Sequence, residues 1–174
     1  MDALQASDPV LLVILILAVI SDLRYMKISN RLIFVGIVLA LAIRIWGNGW
    51  SDIGNFLWNI SFPVIVLYLF YLVGAMGAGD IKLFSVVGGF FNFKELVLCM
   101  GISLVMGALF SLGKMIFSGT FFSGITEGVT YLSCYLKGGR ETYRRDLAHK
   151  ANLIHFSPAI LAGAVLARLY FVFM

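Results

Sequence analysis

Residues 9–30 read PVLLVILILAVISDLRYMKISN, and this stretch decides the class of the protein. The uncharged part, Pro9 to Ser21, is too short to cross a hydrocarbon core of ~30 Å, which takes about 20 residues in a helix. The helix is therefore expected to run on through Asp22 and Arg24 toward Ile28. At about 1.5 Å per residue, that places Asp22 a turn or two inside the membrane boundary.

Composition agrees with a lipid solvent. Of 174 residues, 61% are hydrophobic and 13% charged, whereas a soluble domain keeps about 25% charged residues for its surface. Too few polar side chains remain to coat a water-facing core, so much of the surface must face lipid. The two cysteines, Cys99 and Cys134, form no CxxC pair, and His149 and His155 are not spaced with them as a zinc site requires. Both cysteines read as small buried residues, and no metal or cofactor is implied. Met1 to Asp8 carry two acids and no Lys or Arg, so no removable signal peptide is expected. The net charge of +4 does not point to nucleic acid, because the basic residues lie beside the apolar runs.

The chain reads as an all-α polytopic membrane bundle of about six spans in a single domain. The spans are expected near residues 9–28, 31–46, 55–76, 80–92, 95–117 and 152–174, with Gly47, Asn48, Gly49 and Asp52 as a loop between the second and third. Residues 118–151 read as an interfacial, cytoplasmic stretch, because Gly, Ser, Thr and Glu127 interrupt the apolar residues of Ser118 to Leu136. Pro158 is expected to kink the last span. The fourth span is also short, and its start, Gly74-Ala75-Met76-Gly77-Ala78-Gly79-Asp80, reads as loosened backbone within the membrane. Such backbone is tolerated only beside protein or a wet cavity.

Basic residues give the orientation, since cytoplasmic loops are rich in Lys and Arg. Alternate counting puts Arg24, Lys27, Arg31, Lys82, Lys114, Lys137, Arg140, Arg144, Arg145 and Lys150 on one side. Arg44, Lys94 and Arg168 are left on the other, so ten of the 13 basic residues fall together. The amino terminus is then expected outside a plasma (inner) membrane, with Asp22 and Asp80 near the cytoplasmic face.

An ionised side chain in a membrane costs about 2.5–3.5 kcal/mol on insertion scales, and usually marks a functional site. Two carboxylates sharing one site cannot both ionise easily. The charged one can take a proton from water while the neutral one polarises a peptide carbonyl, which is aspartic peptidase chemistry. Taken singly, each aspartate could equally sit at a helix boundary, paired with Arg24 or Lys82. Gly77 and Gly79 add weight to the catalytic reading, because they allow an extended strand to come close to Asp80.

Two segments carry a family resemblance. Asp22-Leu23-Arg24-Tyr25-Met26-Lys27-Ile28-Ser29-Asn30 resembles D-x-R-x-x-x-I-P-N, and Gly77-Ala78-Gly79-Asp80-Ile81-Lys82-Leu83 resembles G-x-G-D-x-K-L. These are segments of the type IV prepilin peptidases, membrane aspartic peptidases named for the GxGD motif. The resemblance implies Asp22 and Asp80 as the catalytic pair, with Arg24, Asn30, Gly77, Gly79 and Lys82 as supporting positions. Lys82 then either favours the charge on Asp80 or serves only as a topology signal. Ser29 stands where the family often has proline, which leaves the turn geometry open. His155-Phe156-Ser157-Pro158-Ala159-Ile160 is similar to a proline-containing segment that opens the family's last helix. It is also similar to the PAL motif of presenilin-like proteases, with Ile160 in place of leucine; His155 reads as an interface residue.

Larger bacterial members carry paired CxxC motifs in a cytoplasmic domain and also methylate the new amino terminus. This chain resembles the short form that serves tight-adherence (Flp) pili and archaeal relatives. No methyltransferase domain is expected. The implied partners are prepilin-like substrates and the lipid bilayer; the sequence does not specify an oligomeric state. Two other readings use the same aspartates: a presenilin-like protease of other helices, and a transporter or assembly subunit that binds ions there.

Overall fold

The computed structural model describes residues 2–72, 76–117 and 156–173. Among these the regular elements are all helical: α1 (Asp2–Tyr25), α2 (Asn30–Asn48), a 3₁₀ turn (Trp50–Asp52), α3 (Ile53–Leu72), α4 (Ala78–Phe90), α5 (Phe93–Phe117) and α6 (Ser157–Phe173). The expected interfacial stretch 118–151, with Cys134, lies outside the described residues. The chain forms two compact units, 1–106 with 155–174, and 107–154. The first takes in α1 to α4, α5 as far as Met106, and α6. Of the second, only residues 107–117, the rest of α5, are described.

Among the described residues three helical stretches are long and apolar enough to cross a membrane: Asn30–Asn48, Trp50–Leu72 and Phe93–Gly113. Large apolar side chains such as Val13, Phe34, Ile65, Leu69, Val105 and Val172 lie on the surface, as lipid contact requires. Trp50 before α3 and Tyr71 near its end are both exposed. A helix between them covers roughly 30 Å, the separation at which aromatic residues meet the two bilayer interfaces. The protein is a membrane helix bundle.

The centre of the first unit is α4, which packs on α1, α2, α3 and α6. It has 13 residues, about 20 Å at the helical rise, well short of a ~30 Å core. From Leu83 to Phe90 every residue is buried. Close approach depends on missing side chains. A methyl group at Gly36 would stand 2.7 Å from Val86 Cγ1 of α4, and one at Gly88 would stand 2.3 Å from the carbonyl oxygen of Asn59 in α3. This is the small-residue packing by which membrane helices gain dispersion contact where lipid offers no hydrophobic drive. Gly88→Ala must push α3 and α4 apart, since the obstacle is backbone. A loss of about 1–3 kcal/mol is expected, read as a lower thermal unfolding midpoint in detergent.

A helix that ends short of the bilayer surface leaves its last carbonyls without water. Side chains of α2 and α3 satisfy them. Arg44 of α2, 5% exposed, donates from Nε to Gly89 O at 2.8 Å and from Nη2 to Phe91 O at 2.6 Å. Its Nη1 meets Asp52 Oδ2 at 2.9 Å, and Asn59 Nδ2 donates to Phe91 O at 2.9 Å. The following helix is held from the other side. Glu95 Oε2 accepts the Asn92 N–H at 3.1 Å, closing the start of α5 as a capping box does. Arg168 of α6 binds Glu95 at 3.0 Å and Asp8 of α1 at 2.6 Å, with its guanidinium 5.6 Å from the centre of the Phe91 ring. Arg44 and Arg168, which the sequence offered only as minority topology charges, are the clamps on the α4–α5 turn.

The last helix begins at Ser157, after non-helical Phe156. Pro158 therefore stands in its first turn, where a missing N–H costs nothing, and opens the helix instead of kinking a longer one. Close packing recurs here: a methyl group at Gly163 would stand 2.0 Å from Ser103 Oγ of α5.

Candidate active site

Helix α1 stops at Tyr25 because Met26 turns left-handed, with φ 52. A residue with a β-carbon pays roughly 1–2 kcal/mol for that conformation. Two bonds hold the reversal: Met26 N–H to Asp22 O at 2.8 Å and Ser21 Oγ to Lys27 O at 2.9 Å. Ser29 then precedes α2 with φ −66, the value a proline ring imposes. Serine thus keeps here the backbone that proline would fix.

This turn is set against the start of α4. Lys82 Nζ donates to Asn30 Oδ1 at 3.0 Å, and a methyl group at Gly79 would stand 3.5 Å from Ile28 Cβ. The two motif segments, remote in sequence, therefore meet at one end of the bundle. Asp22 lies in the last turn of α1, Asp80 in the first turn of α4, and both are half-buried. Lys82 is engaged with Asn30, and Arg24 is exposed in the last turn of α1, where a cation suits the helix dipole.

Gly77 precedes α4 with φ −76 and ψ 148, extended backbone open to any residue. Its lack of a side chain matters for another reason: a methyl group there would stand 3.1 Å from Asp80 Oδ2. At Gly79 the space is ordinary. Gly77→Ala is accordingly expected to keep the fold but move the Asp80 carboxylate, and to lower activity about tenfold, since displacements under 1 Å are costly in catalysis. An unchanged kcat would show that Asp80 tolerates the shift.

One contact at this site was not anticipated from the sequence. Ser157, fully buried at the start of α6, donates its hydroxyl to Asp22 Oδ2 at 2.5 Å. The neighbouring Phe156 ring packs on Phe84 of α4 at 6.3 Å between centroids, one turn beyond Asp80. The 156–157 segment thus touches both aspartate-bearing helices. The only hint in the sequence was the Pro158 segment, where attention falls on proline and on His155, which lies outside the described residues. Among the described residues no three His, Cys, Asp or Glu side chains gather as a metal site would need.

A membrane helix bundle with two acidic side chains at one end of a short, buried, glycine-packed helix defines the class. The profile of the type IV leader peptidase family matches residues 9–112, and the chain belongs to that family. It is similar to a prepilin leader peptidase/N-methyltransferase of Bacillus subtilis (strain 168), with 27% identity over 158 residues. That alignment takes in 90% of this chain and 52% of the relative, so the chain spans about half the relative's length. No solved structure matches the chain.

Proposed function

We propose that the chain is a two-aspartate endopeptidase that removes the short leader from prepilin-like proteins at the cytoplasmic face of the plasma membrane. The observation that carries this reading is the meeting of the Asp22 and Asp80 segments, joined by Lys82 and Asn30. Membership of the leader peptidase family supports the reaction, and the named B. subtilis relative supports the substrate class. The excess of basic residues on one side supports the orientation.

By family resemblance such substrates carry a short basic leader ending in glycine, followed by an apolar helix. That helix can lie beside the spans while the scissile bond reaches the aspartates near the boundary. Water attacks the carbonyl carbon as the ionised carboxylate takes its proton and the neutral carboxyl donates to the oxygen.

The test is to give purified chain two peptides, one prepilin-like and one unrelated single-span helix. Cleavage of the first alone, after the leader glycine, is expected. Cleavage of both would make it a general intramembrane protease, and cleavage of neither would overturn the peptidase reading.

A further inference from the structure

The turn that ends α1 is costly by itself. Met26 is left-handed with a β-carbon, at φ 52, and such a backbone persists only where its surroundings hold it. On one side it is tied to α1, since Met26 N–H donates to Asp22 O. The turn and the part of α1 that carries Asp22 therefore move together. On the other side it meets α4 at two points: Ile28 lies against Gly79, and Asn30 Oδ1 accepts from Lys82 Nζ at 3.0 Å. Those two points bracket Asp80 in the chain.

Lys82 and Asp80 are not set side by side. A step of two residues turns a helix by about 200°, so the two side chains leave α4 on nearly opposite sides. The next turn marks the same two faces. Val86, four residues after Lys82, lies where a methyl group on Gly36 of α2 would stand 2.7 Å away. Phe84, four residues after Asp80, packs on Phe156 before α6.

We infer that Lys82 and Asn30 are positioning residues: their bond keeps the α1–α2 turn seated on α4 and so sets where Asp22 stands relative to Asp80. The inference rests on the two-aspartate reading above. It gives Lys82 a role through Asn30 and the turn, in place of a charge acting on Asp80 or a topology signal alone.

The test measures kcat and KM of purified full chain cutting a prepilin-like peptide. Asn30→Ala and Lys82→Met are each expected to lower kcat about fivefold, the weight of one hydrogen bond, with KM little changed. The double variant is expected to be no slower than either, because the same bond is lost in all three. Asn30→Asp, which keeps an acceptor for the ammonium, is expected to restore the rate. A loss in K82M with N30A unaffected would mean that Lys82 works through its charge, and losses that multiply in the double variant would mean two separate roles. Either result overturns the inference. N30A alters no charge, so its effect is independent of topology.

A second measurement reads the geometry without activity. A β-carbon at Gly79 would stand 3.5 Å from that of Ile28, within the span of about 3.5–4.5 Å that a disulfide bridges. Ile28→Cys with Gly79→Cys is expected to link on oxidation with copper phenanthroline, scored by mass spectrometry of the joined peptides. Adding N30A or K82M is expected to slow the linking severalfold, since the turn no longer stays seated on α4. Equal rates with and without those changes would overturn the inference. Asp22→Asn and Asp80→Asn in the cleavage assay separate the two levels. If either still cuts, the two-aspartate reading fails; if neither cuts and the Asn30 and Lys82 variants behave as wild type, only the tie fails.

Discussion

Asp22→Asn and Asp80→Asn are each expected to lower leader cleavage by about 10³-fold or more, with the fold intact. Asparagine has the shape of aspartate, and its carbonyl oxygen can still accept the Ser157 hydroxyl that reaches Asp22. What it lacks is a proton that can be taken up or given. Acid–base assistance contributes about 10²–10⁴-fold per group, and in the proposed two-aspartate mechanism a single loss removes both roles. Co-expression with a prepilin-like substrate, scored by the mobility shift of the shortened product, reads the effect directly. Processing retained in either variant, with the protein present at normal level, would remove the aspartates from the chemistry.

The second large effect is on stability. Arg44→Leu is expected to cost about 1–3 kcal/mol, the usual penalty for leaving a buried carbonyl without its donor. Gly89 O loses the Arg44 donor, while Phe91 O retains the Asn59 amide. Asp52 keeps its bonds from Asn48 and Asn55 at 3.1 and 2.9 Å, so its charge is not stranded. The damage therefore falls mainly on the end of α4. Arg44→Lys should recover only part of it, because one ammonium cannot reproduce the fork that serves three acceptors. Thermal unfolding in detergent measures both variants. A midpoint for R44L equal to wild type would mean that the α4–α5 turn does not depend on this clamp.

The class of fold was legible because hydropathy is local. A helix facing lipid writes its environment into its own residues, and the short runs at Pro9–Ser21 and after Asp80 already implied ionisable groups near a boundary. The candidate aspartates were legible for the same reason. Contacts made at a distance were not. Arg44 looks like a charge at the end of a span, and nothing near it in sequence announces the carbonyls of residues 89 and 91. Ser157 is small, neutral and common, and its importance comes only from Asp22, 135 residues away. Pro158 was misread because a proline inside an apolar run fits either a kink or a helix start. Where the helix begins decides between them.

Glycines far from the chemistry set the direction in which it points. Gly88 and its neighbours leave α4 no azimuth but one, since rotating the rod would drive a side chain into the α3 main chain. Asp80 lies eight positions earlier, about 80° round from Gly88 after two full turns. The compass bearing of its carboxylate is thus keyed at the opposite tip of the rod, like a bit fixed by the flat on its shank.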